Sequence, residues 1–315
     1  MNDPKRPVDI TDVTNKTVLE IFPETEVGLQ GWLCPKSKRE VPFAFCITDC
    51  KNHCKPLPVL IALFQQIHER DDYDTFHVTE SLNPPQQVHL SRTKPYYVDA
   101  DSLLDMNVGT AWHDHLKKTW HKISYLGLEG DYIIERTKHE RMIISVPSLQ
   151  KDYEIILSGT PDLVIKSKLE MWDYKVMKYY YSFKYISEGK WTDNAYMWQM
   201  NIYRTIWYPE IESLKLYCYL KDWKYNMLDV DHAETINVPI MGEIQVKSRL
   251  HNNLAEHIEA RETGKTRECG TDEMWKDRLR CKHYCLVSRI CPQHQEYLKG
   301  LKNGTKSKRK RKRLR

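Results

Sequence analysis

The sequence predicts an α/β fold, a mixed central sheet flanked by helices, with cysteine-rich segments towards both ends. Three observations predict it. Short runs in which β-branched and aromatic residues alternate with polar ones recur at Lys138 to Val146, Tyr153 to Ile165, Met171 to Met177, Leu214 to Trp223 and Ala233 to Ile240. Longer stretches of helical period fall between and around them, at Leu103 to Ser124, Asp193 to Tyr208 and Met241 to Thr263. Eight of the nine cysteines gather outside this central part, as Cys34, Cys46, Cys50 and Cys54 and as Cys269, Cys281, Cys285 and Cys291.

In chain order, residues 1–30 are rich in proline and threonine and suit an extended arm or a short strand pair. Cys46, Cys50 and Cys54 repeat every four residues, a spacing that a helix would place on one face. Pro56 and Pro58 open an apolar helix over Val59 to His68, and Thr79 to Arg92 suits a capped turn and helix. On the helix from Leu103 to Ser124, Gly109, His113, Leu116 and Trp120 share a face, so His113 is expected to point inward and His115 outward. The stretch KYYYSFKY, Lys178 to Tyr185, sets aromatic rings beside positive charge. Lys178, Tyr180 and Lys184 there suit contact with single-stranded bases, and a half-buried strand flanked by lysines explains the pattern equally well. The next helix puts Gln199 and Tyr203 on one face, followed by Arg204 as a further expected nucleic-acid contact, and Pro209 ends it. Cys218 is expected to be buried in its strand, and Gly264 to stop the last long helix. There is no internal repeat. The expected segments are an arm with the first cysteines (1–100), a core (101–264), a cysteine-rich cap (265–300) and a basic tail (301–315).

Composition excludes two classes. With 41% hydrophobic and 29% charged residues the chain is neither a disordered polymer nor a membrane protein, and its longest apolar run, Pro56 to Phe64, is too short to span a bilayer. The first residues contain no signal-peptide apolar region, so an intracellular protein is expected, cytoplasmic or, if the tail is a nuclear address in a eukaryotic host, nuclear. Of the last ten residues, eight are Lys or Arg; without them the net charge of +5 becomes −3. The basicity is therefore a tail, suited to binding phosphate backbones or to acting as an address, or else merely solubilising.

The chemistry concentrates in Ser158 to Lys175, SGTPDLVIKSKLEMWDYK. Alternate residues of a strand share a face, so Asp173 and Lys175 point together and Tyr174 away. If the runs around Asp162 and Asp173 pair as a hairpin, the two carboxylates converge, an arrangement that holds Mg²⁺ or Mn²⁺ for phosphate chemistry with Lys175 beside the phosphate. The alternatives are plain: solvated hairpin charges for the acids, and for His113 a core histidine satisfied by a backbone carbonyl. Nine cysteines in an intracellular chain point to metal or cluster ligands rather than disulfides.

Taken in order, GTAWH (Gly109 to His113), GTPD (Gly159 to Asp162), DYK (Asp173 to Lys175) and QMNIY (Gln199 to Tyr203) resemble the PD-(D/E)XK nucleases of the RecB type, including the AddB subunit and the CRISPR-associated RecB-like exonucleases and their phage relatives. The resemblance covers roughly residues 76–292. It implies a restriction-endonuclease-like sheet, metal ligation by His113, Asp162 and Asp173 with the backbone carbonyl of Tyr174, and catalysis by Lys175. Gln199 and Tyr203 would contact DNA or support the site. A histidine ligand favours Mn²⁺ over Mg²⁺. The implied activity is a metal-dependent deoxyribonuclease, an exonuclease on ends or single strands, with recombination or replication proteins as partners; a DNA-binding scaffold and a structure-specific endonuclease are the alternatives.

Cys281, Cys285 and Cys291 resemble the family's C-terminal iron–sulfur triad, with a first gap of three residues where two is usual, and the turn at Asn83 to Gln87 lacks the family's N-terminal cysteine. Either Cys50 or Cys54 joins the triad around one [4Fe–4S] cluster, or Cys269 completes a C-terminal tetrad while Cys34, Cys46, Cys50 and Cys54 form a second site, perhaps of Zn²⁺.

Overall fold

The structure is a computed structural model that describes residues 27–51, 54–64, 74–179, 183–191, 194–224 and 230–301, without the side chains at 58, 61, 62, 64, 102 and 105–107. The N-terminal arm, the end of the helix expected to reach His68, Tyr180 and the basic tail lie outside the described residues.

The elements run β1 (Gly28–Leu33), β2 (Glu40–Pro42), α1 (Phe43–Thr48), α2 (Leu57–Phe64), β3 (Thr75–His77), α3 (Val78–Ser81), α4 (Pro85–Thr93), β4 (Pro95–Val98), α5 (Ala100–Lys117), α6 (Trp120–Tyr125), β5 (Tyr132–Ile134), β6 (Lys138–Val146), β7 (Lys151–Gly159), β8 (Leu163–Ile165), β9 (Glu170–Met177), α7 (Lys184–Ser187), α8 (Ala195–Trp207), β10 (Ser213–Leu220), β11 (Ala233–Val238), α9 (Glu243–Thr263), α10 (Thr271–Met274) and α11 (Leu279–His283). They form three mixed sheets, ordered β11-β10-β9-β8-β5, β3-β7-β6 and β2-β1-β4, so the α/β class with mixed sheets and helices holds. Among the described residues no helix is long and apolar enough to cross a membrane.

Two compact units share the chain. The smaller gathers residues 1–69, 90–104 and 281–315; the larger holds 70–89 and 105–280. The division does not follow chain order: the first cysteines and the last three fall in one unit, Cys269 in the other.

Within the larger unit, β9 and β10 run parallel. Parallel neighbours need a crossover, here one that includes α8. Asn194 caps α8, its side chain accepting from the backbone N–H of Tyr196 at 2.9 Å. Alternation along SLKLYCYL buries Leu214, Leu216, Cys218 and Leu220, which packs one face of the sheet into a core with Met200 and Ile202 of α8 and Leu250 and Leu254 of α9. Asn201, fully buried, ties α8 down: its Nδ2 donates to the carbonyls of Met197 (2.8 Å) and Pro239 (2.9 Å), and its Oδ1 accepts from Met241 N at 2.8 Å.

Four expectations need correction. The run from Tyr153 to Ile165 is two strands, because β7 pairs with β3 and β6 while β8 pairs with β5 and β9. Gly159 to Asp162 is where the chain passes from one sheet to the other. The helix from Leu103 to Ser124 breaks after Lys117 and restarts at Trp120. Cys46, Cys50 and Cys54 do not share a helical face, since α1 ends at Thr48. Within KYYYSFKY the described residues form no strand: Phe183 is buried in the core and Lys184 opens α7.

Candidate functional site

Three separate elements bring the site together. His113 stands near the end of α5. Asp162 sits on the passage between the sheets, immediately before β8, whose register pairs Leu163 with Trp172. One step further, that register sets Asp162 beside Asp173 of β9, and the Asp162 Oδ2 accepts the backbone N–H of Tyr174 at 2.6 Å. Glu135 follows β5, which pairs with β8 through Ile134 and Leu163, and its N–H donates to the Asp162 carbonyl at 3.1 Å. Glu135 has a left-handed backbone, φ 46°, a conformation costing a non-glycine residue on the order of 1 kcal/mol and common where geometry serves a site. The result is a tight triad. His113 Nδ1 lies 2.8 Å from Glu135 Oε1 and 3.5 Å from Asp162 Oδ1. Among the described residues this is the one set of three His, Cys, Asp or Glu ligand atoms found within 4.8 Å of one another.

Behind the triad, Asp173 and Lys175 form a buried pair, Oδ2 to Nζ 2.7 Å, with Asp173 2% exposed and the lysine side chain 19%. Among the described residues no donor reaches the other oxygen of Asp173, Oδ1. Lys175 Nζ also lies 5.3 Å from the centre of the Tyr196 ring. Burial works against the ammonium, but Asp173 and Asp162 outweigh it and hold Lys175 protonated. Burial, with Asp173 beside it, raises Asp162 well above the ordinary carboxylate range. The hydrogen bond to Glu135 raises His113 against the opposing effect of burial. One wall of this centre comes from α8: Gln199 Nε2 donates to the Tyr203 hydroxyl at 3.0 Å, and burial pushes that phenol up to about 12. Gly159 lets the helix come close. A Cβ there would stand 2.6 Å from Tyr203 Cε1 and 2.7 Å from Trp207 Cζ3.

No family model and no curated protein matches this chain. Among solved structures, the crystal structure of SSO0001 is similar to it, with 14% identity, a TM-score of 0.45, and coverage of 75% of this chain and 94% of that one.

Of the expected metal ligands, His113 and Asp162 meet within the triad. Asp173 lies outside it and pairs with Lys175, while Tyr174 donates its backbone N–H to Asp162. Glu135 was not foreseen. Its only sequence signal is an acid directly after the apolar run YII, between the histidine helix and GTPD.

The expected nucleic-acid contacts are dispersed. Lys178 is half-buried at the end of β9, Lys184 is exposed, and Arg204 donates its Nε to the Ile211 carbonyl at 2.7 Å, bracing the turn after α8. Cys218 is buried as expected, and burial pushes its thiol up to about 12.

The remaining cysteines divide between the units. In the smaller, Cys46 and Cys291 are buried in one apolar core with Trp32, Leu60 and Val287, and Cys285 packs against it. Burial pushes the Cys46 thiol up to about 11, with Cys50, Cys54 and Cys34 near enough to add to the effect. In the larger unit, Cys269 Sγ lies 3.5 Å from Gln86 Oε1. Tetrahedral zinc would hold its sulfurs about 4 Å apart, and no three cysteine sulfurs gather that closely among the described residues. A four-iron cluster stands its thiolates farther apart than a single ion does.

Proposed function

We propose that the protein is a divalent-metal-dependent nuclease that hydrolyses phosphodiester bonds in DNA, acting on ends or single strands. The observation that carries this reading is Asp173: a buried carboxylate whose Oδ1 has no donor among the described residues, next to a histidine–glutamate–aspartate triad. Buried carboxylate oxygens are costly unless a cation or donor answers them. Hard oxygen donors with one imidazole suit Mn²⁺, and Mg²⁺ less well, so His113, Glu135 and Asp162 would hold the ion with Asp173 at its edge. The bound ion would lower the pKa of a water and neutralise charge on the phosphate.

The chain's own groups do the rest. Lys175, kept protonated by Asp173, presents a fixed positive charge to a phosphate entering this largely buried centre, where a charge is worth most. Before an ion binds, the hydrogen bond between His113 and Glu135 holds the imidazole ring in place, and the Tyr174 N–H orients Asp162. Gln199 and Tyr203 support the wall behind Asp173. The same reading assigns Cys281, Cys285 and Cys291, with Cys50 or Cys54, to a structural [4Fe–4S] cluster; brown colour and iron in anaerobically purified protein check it.

The test is cleavage of end-labelled linear DNA and of closed circular DNA with Mn²⁺, then with chelator. Linear DNA should be degraded and chelator should stop it, while Asp173→Asn and Lys175→Met each slow cleavage by about 10²–10³-fold. Protein inert towards both substrates, or either variant active as wild type, would overturn the proposal.

A further inference from the structure

The chain beyond His113 carries an unusual surface. From His115 to Leu128 there is no acidic residue, while Lys117, Lys118, Lys122, His115 and His121 all lie exposed. Among the described residues none of these five makes an ion pair. Large apolar side chains stand between them. Tyr125 is 92% exposed and Leu126 67%, with Trp120 and Leu128 also exposed.

The backbone holds these groups in a defined arrangement. At the break between α5 and α6, Thr119 Oγ1 donates to the Leu116 carbonyl at 2.6 Å, and the N–H groups of Lys122 and Ile123 return to the Thr119 carbonyl at 2.9 and 3.1 Å. Gly127, at φ 69°, closes α6 in the left-handed turn that only glycine adopts freely, with Leu128 N–H on the Ile123 carbonyl at 3.1 Å. Lysines alone would be a solvated face, and exposed rings and leucines alone a patch awaiting cover. Interleaved, they match an occupant that offers regular negative charge and flat apolar faces together, as a single strand of nucleic acid does. Lys117 stands one turn, about 6 Å along the axis, beyond His113, so the surface begins where the candidate centre ends.

We propose that His115 to Leu128 is a binding surface for single-stranded DNA, its lysines on phosphates and the rings of Trp120 and Tyr125 under bases, leading the strand to the centre at His113. This deepens the proposed function and rests on it for what happens at the end of the strand; binding itself does not.

Binding is therefore measured without cleavage. The full chain, with chelator present, is titrated into a fluorescein-labelled thymidine 20-mer followed by anisotropy, at about 0.2 M salt so that the basic tail contributes little. Trp120→Ala and Tyr125→Ala should each weaken binding by about 5- to 100-fold, the cost of one lost base stack, and Tyr125→Phe should restore it, because stacking needs the ring and not the hydroxyl. Replacing Lys117, Lys118 and Lys122 together by alanine should reduce the slope of log K against log salt by about 2. Wild-type binding by the doubly substituted Trp120→Ala, Tyr125→Ala protein overturns the proposal. So does binding of phosphatidylserine vesicles, lost in the same variants, with none of the oligonucleotide. If the variants lose binding while wild-type protein with Mn²⁺ cleaves nothing, this surface stands and the nuclease reading falls. If wild type cleaves and the variants bind unchanged, the surface falls alone.

Discussion

In the larger unit a core of 27 buried apolar residues, running from Phe76 to Ile258, surrounds two buried aspartates and packs against a lysine. In the smaller unit a core of twelve, from Trp32 to Cys291, encloses two thiols and, among the described residues, no buried carboxylate. The difference lies in what each core can carry. Burying a charge costs several kcal/mol even when it is paired, and only an extensive core can offset that cost and keep charges poised in a dry site. A small core has little margin and gains most from a metal-held cross-link.

The largest expected effect tests the charged core. Asp173→Ala leaves the Lys175 ammonium buried without its partner, and should destabilise the larger unit by about 3–5 kcal/mol; hydrogen exchange resolved by segment measures each unit separately. A loss below about 1 kcal/mol would mean the pair is solvated and the contrast between the units is false.

The smaller unit offers the next. Losing the Cys291 sulfur as mere packing should cost about 1 kcal/mol. As a cluster ligand, Cys291→Ala should strip iron and loosen the whole smaller unit by more than that. A small shift with iron retained would leave Cys291 a packing residue.

The last effect is a dependence on pH, set in the larger unit by Asp162 and His113. Asp162 and His113 are both raised, so the folded chain keeps protons that the unfolded chain has released. Their contribution to stability must then fall as pH rises, from the ordinary aspartate range up to about 8 for Asp162 and above the ordinary 6.5 for His113. Mn²⁺ binds the deprotonated groups, so its rise in melting temperature should be larger at pH 8 than at pH 6. An equal rise at both would place the ion elsewhere.

Local period was written in the chain. Alternation in SLKLYCYL, the hairpin that sets Asp162 against Asp173, the start of α8 and the stop at Gly264 all follow from neighbours a few residues apart, where sterics and side-chain spacing decide. The meeting of histidine and aspartate rested on recognising motifs in order, and none of those motifs contains Glu135.

Only the tertiary structure placed Glu135, because its position depends on β5 pairing with β8 and on a left-handed backbone that the sequence does not announce. It alone also split Tyr153 to Ile165 between two sheets. Sheet membership is decided by which apolar faces cover each other across long stretches of chain, and that choice has no local signature.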